Sequence, residues 1–307
     1  MKLVHARKRV WKKDHAFQNK FVLLVWILSL LQWKKFNYTT TLYTDLQTLN
    51  DIKSFGFDRL YDEINTTLLE DPEICKDINF SSFWATPKLL ALWHETKNLN
   101  NEVVIADQDV VPIRDISRLW TNCQVAVWSN REYLEFKGIY PDLHKLSLPE
   151  NYSLPKWFTG KTKPLNTGIL HFKNNSLAAE YCEEAFKYIR KNENKLRNPD
   201  WVTMCNAEQR MLGEFIKHKK LSYGVMQPIN EGLFNRNGFH THGYKQALSN
   251  EDTLNWNIYM LLYIKKNDEE LYNFLLKHPF FEKEKEYLTQ DNYKIPKIKE
   301  FENYNLL

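Results

Sequence analysis

Apolar residues along the chain follow strand-like and helix-like spacings in turn. Short runs rich in β-branched and aromatic residues predict strands over 2–6, 38–43, 103–111, 124–128, 168–172 and 221–225. Apolar residues at helical spacing predict helices over 21–36, 48–55, 83–99, 176–192 and 207–218. Strands that alternate with helices indicate an α/β fold with a mostly parallel sheet flanked by helices.

The run from Val103 to Val111 is apolar except for Asp107-Gln108-Asp109. Such a run predicts a strand buried on both faces. The two aspartates alternate along it, so their side chains leave the same face of a strand. Carboxylates at the carboxyl end of a buried strand are hard oxygen ligands of the kind that Mn²⁺ and Mg²⁺ prefer. The run therefore predicts a metal at the edge of a nucleotide site; the alternative is a strand that ends in a turn with both aspartates solvated.

The most apolar run, Phe21 to Leu31, follows a basic segment, as the apolar part of a signal peptide does. It lacks a small-residue cleavage site and continues into Gln32-Trp33-Lys34-Lys35. It is also too short to cross a bilayer as a helix. Its apolar residues share one helical face, which predicts a buried core helix.

The basic segment from Arg7 to Lys20 contains one acid, Asp14, among its many Lys and Arg residues. A segment of this composition suits peripheral contact with an anionic membrane surface or a position near phosphates. The favoured interpretation is a solvated loop that leads into the core helix.

Beyond residue 250 the pattern is helical and heavily charged. Apolar residues form a stripe along this part of the chain, at Leu254, Ile258, Leu261 and Leu271. We therefore divide the chain into a main domain, residues 1–250, and a helical C-terminal extension, residues 251–307. The stripe is expected to pack on the main domain, and the extension is expected to contribute nothing to catalysis.

Composition narrows the class of protein. An apolar fraction of 43% and an aromatic fraction of 14% are typical of a globular chain and exclude a disordered one. The net charge of +4 is too small to favour nucleic acid as a partner. No Cys-x-x-Cys pair occurs, so a reduced compartment and a cytoplasmic location are expected. Neither glycine-rich phosphate-binding motif occurs, so a bound nucleotide would need a metal at its phosphates.

Several stretches occur in an order that resembles one class of enzymes. They are Leu42-Tyr43-Thr44-Asp45, Asp107-Gln108-Asp109, the run Pro164 to Leu170 containing Asn166-Thr167-Gly168, and His240-Thr241-His242-Gly243-Tyr244-Lys245. Together they resemble the GT-A-type glycosyltransferases, especially the metal-dependent bacterial enzymes. The resemblance covers residues 1–247 and implies a GT-A-like Rossmann-type sheet.

The resemblance also implies an activity. A hexose would move from a nucleotide-diphosphate sugar, with a UDP-sugar expected as the donor, to a hydroxyl group of a glycan or of a lipid-linked acceptor. Such transfer belongs to polysaccharide biosynthesis. The enzyme would work in the cytoplasm, with peripheral contact at the inner face of the membrane through its basic N-terminal segment.

Metal ligands follow from the same resemblance. Asp107 and Asp109 would hold Mn²⁺ or Mg²⁺ on the donor diphosphate, and Asp107 would also contact the ribose or the sugar. One of His240 and His242 would complete the set, and either histidine fits the sequence.

Further positions are implied for the donor. Asn166, Thr167 and Gly168 would lie beside the donor sugar, and Lys88 matches a basic residue that contacts the donor. Two more donor-binding positions are expected, at Asp45 and Lys245.

The catalytic residues expected from the resemblance are Asp109 and Glu208. Glu208 begins a helix near the sugar, together with Gln209. In an inverting enzyme Glu208 or Asp200 would accept the proton of the acceptor hydroxyl, whereas in a retaining enzyme Glu208 would support the sugar. The sequence leaves both outcomes open.

The irregular stretch from Leu134 to Phe158 contains Pro141, Pro149 and Pro155. So long a segment without regular structure predicts a functional loop, which we expect to cover the acceptor side. Trp157 near its end would either stack on a sugar or pack on the protein.

Two other classes of protein remain open. One is a non-catalytic protein of the same fold that binds a sugar nucleotide or a glycan. The other is a nucleotidyltransferase, which can also present an Asp-x-Asp pair to a triphosphate. Polymerase-like members of that class usually need a third carboxylate and a glycine-bearing phosphate loop.

Overall fold

The computed structural model describes most of the chain. The described residues are 1–9, 15–130, 140, 142, 148, 152–191, 200–227, 234–235, 237–241 and 249–290. His242, Lys245 and most of the predicted loop over 134–158 lie outside them.

The main sheet contains seven strands within this described part, in the order β3-β2-β1-β4-β7-β6-β8. Their bounds are Lys2–Arg7 (β1), Thr39–Thr44 (β2), Glu63–Asn65 (β3), Val103–Ala106 (β4), Val125–Ser129 (β6), Asn166–Phe172 (β7) and Tyr223–Gln227 (β8). All run parallel except β7, which is antiparallel to both of its neighbours. The chain therefore has an α/β fold with a mostly parallel mixed sheet, compatible with a Rossmann-like architecture.

A small antiparallel sheet lies beside the main one. It is formed by Val110–Pro112 (β5), Gly238–His240 (β10) and Phe234–Asn235 (β9). The prediction of one strand from Val103 to Val111 is thus wrong. The amide of Val110 donates to the carbonyl of Asp107 at 3.1 Å, which makes the Asp-Gln-Asp segment a β-turn between β4 and β5.

Helices connect the strands and flank the main sheet. Their bounds are His15–Gln18 (α1), Lys20–Lys35 (α2), Leu46–Ser54 (α3), Thr86–Trp93 (α4), Ser117–Asn122 (α5), Asn175–Lys191 (α6), Asp200–Cys205 (α7), Met211–Lys219 (α8), Asn250–Asn267 (α9), Glu269–Lys277 (α10) and Glu282–Leu288 (α11). Two π-helical turns, His94–Asn98 and Asn206–Arg210, follow α4 and α7.

The predicted helices are present, with differences at their starts. Helix α4 begins at Thr86, three residues after its predicted start, and it has no side-chain cap. Helix α3 begins two residues early because the carboxylate of Asp45 caps it. The helix predicted from residue 207 is the second part of a continuous helical stretch from Asp200 to Lys219.

Neighbouring residues on one strand face different hydrophobic clusters. Tyr43 of β2 packs in a cluster with α4, α6 and α8, whereas Leu42 packs in another with α2 and the C-terminal helices. This alternation is expected for a strand that has helices on both of its faces. The main sheet is therefore the middle layer of the fold.

Helix α2 is a core helix, as predicted. Phe21 and every residue from Leu23 to Leu30 are buried, so burial extends well beyond the single face that the sequence indicated. Within the described residues, no helix combines the length and the apolar character needed to span a membrane.

The C-terminal helices pack on α2. Trp256 of α9 contacts Phe21 edge to face at 5.6 Å, and Gln32 of α2 donates to the hydroxyl of Tyr263 at 2.7 Å. Lys20 forms an ion pair with Glu284 of α11 at 2.7 Å. The predicted stripe does bury itself on the rest of the chain, and it completes the same core as α2.

A core substitution in α9 tests this packing. Leu261→Ala should lower the free energy of unfolding by about 2–5 kcal/mol, because Leu261 is fully buried. Leu262→Ala, at a half-buried position one residue later, is the matched control and should cost less. Urea denaturation of both variants measures the difference, and equal losses would contradict the packing described.

Candidate metal centre at the carboxyl edge of the sheet

Three side chains of the predicted site converge at one edge of the main sheet. Asp107 directly follows β4, Asp109 lies in the turn before β5, and His240 ends β10. Nε2 of His240 lies 3.1 Å from Oδ1 of Asp109 and 3.8 Å from Oδ2 of Asp107. The sequence alone predicted this grouping, with His240 as one of two candidates.

Pairing between β5 and β10 brings the histidine to the aspartates. The two strands are antiparallel, and His240 lies opposite Val110, the residue after Asp109. The amide of Thr241 donates to the carbonyl of Asp109 at 3.2 Å, and the Thr241 hydroxyl donates to its carboxylate at 3.3 Å. The backbone thus holds the histidine beside the turn.

The turn itself is anchored to the main sheet. The amide of Asp107 donates to the carbonyl of Gly168 in β7 at 2.8 Å. The side chain of Gln108 donates to the carbonyl of Ala6 in β1 at 2.9 Å. Asp107 and Asp109 therefore face the edge together although they do not share one strand, and the expectation that a continuous strand would align them is wrong.

The donor set fits a small divalent cation. One oxygen from each aspartate and one nitrogen from His240 lie within 4.8 Å of one another. Ligands bonded at about 2.0–2.1 Å in an octahedron are separated by about 3–4 Å, so modest adjustment of these side chains suffices. The two carboxylates suit Mn²⁺ or Mg²⁺, whereas an imidazole suits transition metals, so Mn²⁺ fits this set better than Mg²⁺. The side chain of His240 is only 7% exposed, which restricts its orientation.

Gly168 provides the space for His240. A Cβ atom at this position would lie 2.8 Å from Cε1 and 2.9 Å from Nδ1 of the imidazole. No side chain fits at such a distance, so the Asn-Thr-Gly segment predicted beside the donor sugar has a packing role as well. The ring of Trp128 contacts the imidazole edge to face at 5.4 Å.

A buried lysine lies behind the two aspartates. Nζ of Lys88 forms ion pairs with Oδ1 of Asp107 at 2.9 Å and with Oε1 of Glu208 at 2.7 Å. It also donates to the carbonyl of Thr167 at 2.9 Å. An ammonium group has three protons to donate, and these acceptors use them. The contact of Lys88 with a donor stays a prediction; its contacts here are with the protein.

The charges of Lys88, Asp107 and Glu208 depend on one another. Burial opposes the charged form of Lys88, but Asp107 and Glu208 outweigh it and raise the pKa of the ammonium. Burial and the charge of Asp107 raise the pKa of Glu208, although Lys88 acts in the opposite direction. Glu208 lies in the π-helical turn Asn206–Arg210, which widens the helix at this position. Glu208 is buried within the continuous helical stretch from Asp200 to Lys219. The expectation that Glu208 begins a helix is therefore wrong.

Three further predicted residues lie at or near the same edge. Asn166 and Thr167 begin β7, and the Asn166 side chain accepts from the amide of Gly168 at 2.8 Å. Asp45 directly follows β2, where it accepts from the amide of Thr48 at 2.6 Å and from the amide of Arg9. Parallel strands end together, so Asp45 and Asp107 share an edge of the sheet.

Three residues around the centre were not assigned from the sequence. Trp128 and Thr241 contact its ligands, as described above. His5 of β1 is fully buried; burial lowers its pKa to about 3, while the charge of Asp109 acts in the opposite direction. A histidine in an apolar strand and a threonine beside a histidine give no spacing signal, because their roles depend on the pairing of distant strands.

Two regions predicted to contact ligands or a membrane are only partly described. They are the loop over 134–158 and the basic segment at the start of the chain. Trp157 stacks on His218 with ring centroids 5.3 Å apart and contacts Phe215, which supports the packing alternative for this residue. The basic residues at the start of the chain also contact the protein: Arg9 pairs with Asp51 at 2.7 Å and Lys8 donates to the carbonyl of Leu69. Membrane contact through this segment stays a prediction.

A protein-family model covers nearly the whole of the fold and site described above. It matches residues 4–276. The chain belongs to DUF6734, a family of unknown function. The match includes Asp107, Asp109 and His240, and it continues past residue 250 into the C-terminal helices of this DUF6734 chain. A comparison with curated proteins found no match.

The packing of His240 against Gly168 predicts an effect on metal binding. Gly168→Ala should displace the imidazole and weaken Mn²⁺ binding by about tenfold or more, as loss of an orienting contact commonly does. Calorimetric titration with Mn²⁺ measures this change. Gly224→Ala in β8, where the nearest atom to an added Cβ is the Cys123 sulfur at 3.1 Å, is the matched control. Unchanged affinity in Gly168→Ala would show that His240 is not a ligand.

The buried ion pair predicts a second effect. Lys88→Met should lower the free energy of unfolding by about 3–5 kcal/mol, because it leaves Glu208 buried without its cation. Adding Glu208→Gln should recover part of this loss, and a double-mutant cycle by urea denaturation measures the coupling. Lys97→Met removes a lysine whose side chain is 49% exposed, and as the control it should cost less than about 1 kcal/mol. An equal loss in the control, or no recovery in the double variant, would contradict the role of the pair.

Proposed function

We propose that this chain is a metal-dependent glycosyltransferase with a GT-A-like fold. It transfers a sugar from a nucleotide-diphosphate sugar, most simply a UDP-sugar, to a hydroxyl group of a glycan or of a lipid-linked acceptor. The polar groups gathered at the carboxyl edge of the sheet support this proposal, since open α/β sheets bind their ligands there.

The grouping of Asp107, Asp109 and His240 is the observation that carries the proposal. Carboxylate and imidazole ligands leave coordination positions for phosphate oxygens on a divalent cation. When bound, Mn²⁺ or Mg²⁺ would supply a Lewis acid for the diphosphate leaving group. The chain lacks glycine-rich phosphate loops, so these residues are its evident means of holding a diphosphate.

The other residues of the site orient groups and exclude water. Lys88 holds one oxygen of Asp107, which leaves the second oxygen directed towards Asp109 and His240. Asn166 and Thr167 lie at the adjacent strand end, where a sugar beyond the diphosphate would make its contacts. Burial of His240 and of Lys88 keeps this side of the centre dry, which strengthens interactions between charges.

Glu208 acts through Lys88 in this arrangement. Its carboxylate contacts the Lys88 ammonium, and its side chain is 4% exposed. A general base must reach the proton that it accepts, and Glu208 is enclosed behind the lysine. This geometry favours Glu208 as a positioning residue over Glu208 as the base of an inverting reaction. It fits a retaining reaction, in which no protein base of that kind is needed.

The grouping of the metal ligands and the enclosure of Glu208 also favour a second candidate function. A protein of this fold that binds a sugar nucleotide or a glycan without catalysis would also keep the metal ligands and need no exposed base. The two candidates differ in one measurable property, which is turnover of the bound donor.

Hydrolysis and binding of sugar nucleotides test both candidates together. Purified protein is incubated with a panel of sugar nucleotides with and without Mn²⁺, and release of nucleoside diphosphate is measured beside calorimetric binding. Transferase activity should appear as slow, Mn²⁺-dependent hydrolysis of a preferred donor. Asp109→Asn should lower that rate by about a hundredfold or more, since it removes a metal ligand.

Asp77→Asn is the matched control. Asp77 is exposed and has a φ of 60°, a conformation that asparagine also adopts readily. The control should keep full activity. Mn²⁺-dependent binding without turnover would favour the binding protein, and donor binding by Asp109→Asn equal to that of the parent would contradict both candidates.

A further inference from the structure

A groove of about 680 Å³ lies among the helices that flank the main sheet. It is bordered by α4 and its π-helical turn on one side and by α6 on the other, with Tyr152 and Ser153 at its margin. Sites for small molecules commonly have volumes of about 300–1,000 Å³ and apolar walls with a few polar groups. None of its lining residues is a predicted residue of the metal centre.

The floor of the groove is apolar and aromatic. Leu90 and Trp93 of α4 line one wall, and Phe186 of α6 lines the other. The rings of Trp93 and Phe186 meet edge to face, with centroids 6.3 Å apart. Leu90 is fully buried and Phe186 is 6% exposed, so both are held by the core beneath them. Such a floor suits a hydrocarbon chain.

The rim of the groove has an excess of positive charge. Lys97 is paired with Glu183, so these two side chains largely cancel. Arg190 lies over the ring of Phe186 at 5.6 Å and donates to the carbonyl of Ile74 at 3.1 Å. Lys191 is exposed at the end of α6. Among the described residues, no carboxylate forms an ion pair with Arg190 or Lys191, so their charges are available to an anion.

Tyr152 adds an aromatic ring to the margin. Its hydroxyl oxygen is enclosed and has no hydrogen-bond partner among the described residues. Burial raises the pKa of Tyr152 to about 12, so the hydroxyl keeps its proton. Because this oxygen is enclosed, a ligand in the groove would meet the ring of Tyr152 and not its hydroxyl.

We infer that this groove binds a single-chain amphiphile with an anionic head group. The hydrocarbon chain would lie along Trp93 and Phe186, and a carboxylate or phosphate head would lie at Arg190 and Lys191. The complementarity of an apolar floor with a cationic rim selects this occupant over a neutral or cationic one. The proposal does not rest on the proposed function, because the groove and the metal centre share no residue.

Titration of the full chain with matched ligands tests the proposal. Decyl phosphate, decanoate and decanol have the same chain and differ only in the head group, and calorimetry measures each below its aggregation concentration. At least one of the two anions should bind about tenfold tighter than decanol, and added salt should weaken the anions only. A preference between decyl phosphate and decanoate identifies the head group.

Substitutions in the rim and in the groove locate the binding. Arg190→Gln combined with Lys191→Gln should bring the affinity for the anions down to that for decanol, while decanol binding stays the same. Lys217→Gln combined with Lys266→Gln removes two exposed lysines elsewhere and should leave all affinities unchanged. Ser153→Trp adds bulk from an exposed position and should abolish binding of all three ligands.

Circular dichroism shows whether each variant is folded. If the rim variant unfolds, Ser153→Trp still tests the proposal, because it removes no core side chain. The proposal is overturned if neither anion binds, if decanol binds as tightly as the anions, or if the control double variant weakens binding as much as the rim variant does. Retained binding by folded Ser153→Trp would also overturn it.

Discussion

One buried ammonium group connects the parts of the candidate site. Nζ of Lys88, on α4, contacts Asp107 in the turn after β4, Thr167 at the start of β7 and Glu208 in a π-helical turn. A charge in the interior is stable only when ionic and hydrogen-bonding partners surround it. The geometry of Asp107 therefore depends on a helix, a strand and a π turn that are far apart in the chain.

The small antiparallel sheet adds the histidine to this arrangement. Pairing of β5 with β10 places His240 opposite Val110, and the absence of a side chain at Gly168 allows the imidazole to approach β7. Ser29 of the buried helix α2 donates to the carbonyl of Val110 at 2.6 Å. The core helix thus supports the turn that carries both aspartates, and the hydrophobic packing of the C-terminal helices on α2 stabilises the site indirectly.

The two candidate ligand sites share one helix. Helix α4 contributes Lys88 to the metal centre and Leu90 and Trp93 to the apolar groove. The groove has the features of a binding site for a small molecule, but its described lining contains no cluster of metal ligands. A ligand there would contact a helix that also holds the metal centre, which gives the two sites a common element.

The sequence by itself determined most of the local elements and the residue types of the candidate metal centre. Runs of β-branched residues predicted most of the strands, the apolar spacing predicted helix α2, and Asp107-Gln108-Asp109 predicted a metal-binding edge. These are properties of neighbouring residues, and side-chain periodicity records them directly. The sequence also indicated Lys88 and Glu208 as residues of the site, but it did not predict that they contact each other.

Only the tertiary structure decided which distant segments meet. It made β7 antiparallel, ended β4 at Ala106 so that both aspartates lie in a turn, and enclosed Glu208 behind Lys88. Strand pairing and the burial of a charge depend on segments separated by tens of residues, and no local spacing encodes their register. The sequence therefore identified the side chains of the candidate metal centre, whereas the packing of helices and strands set their geometry.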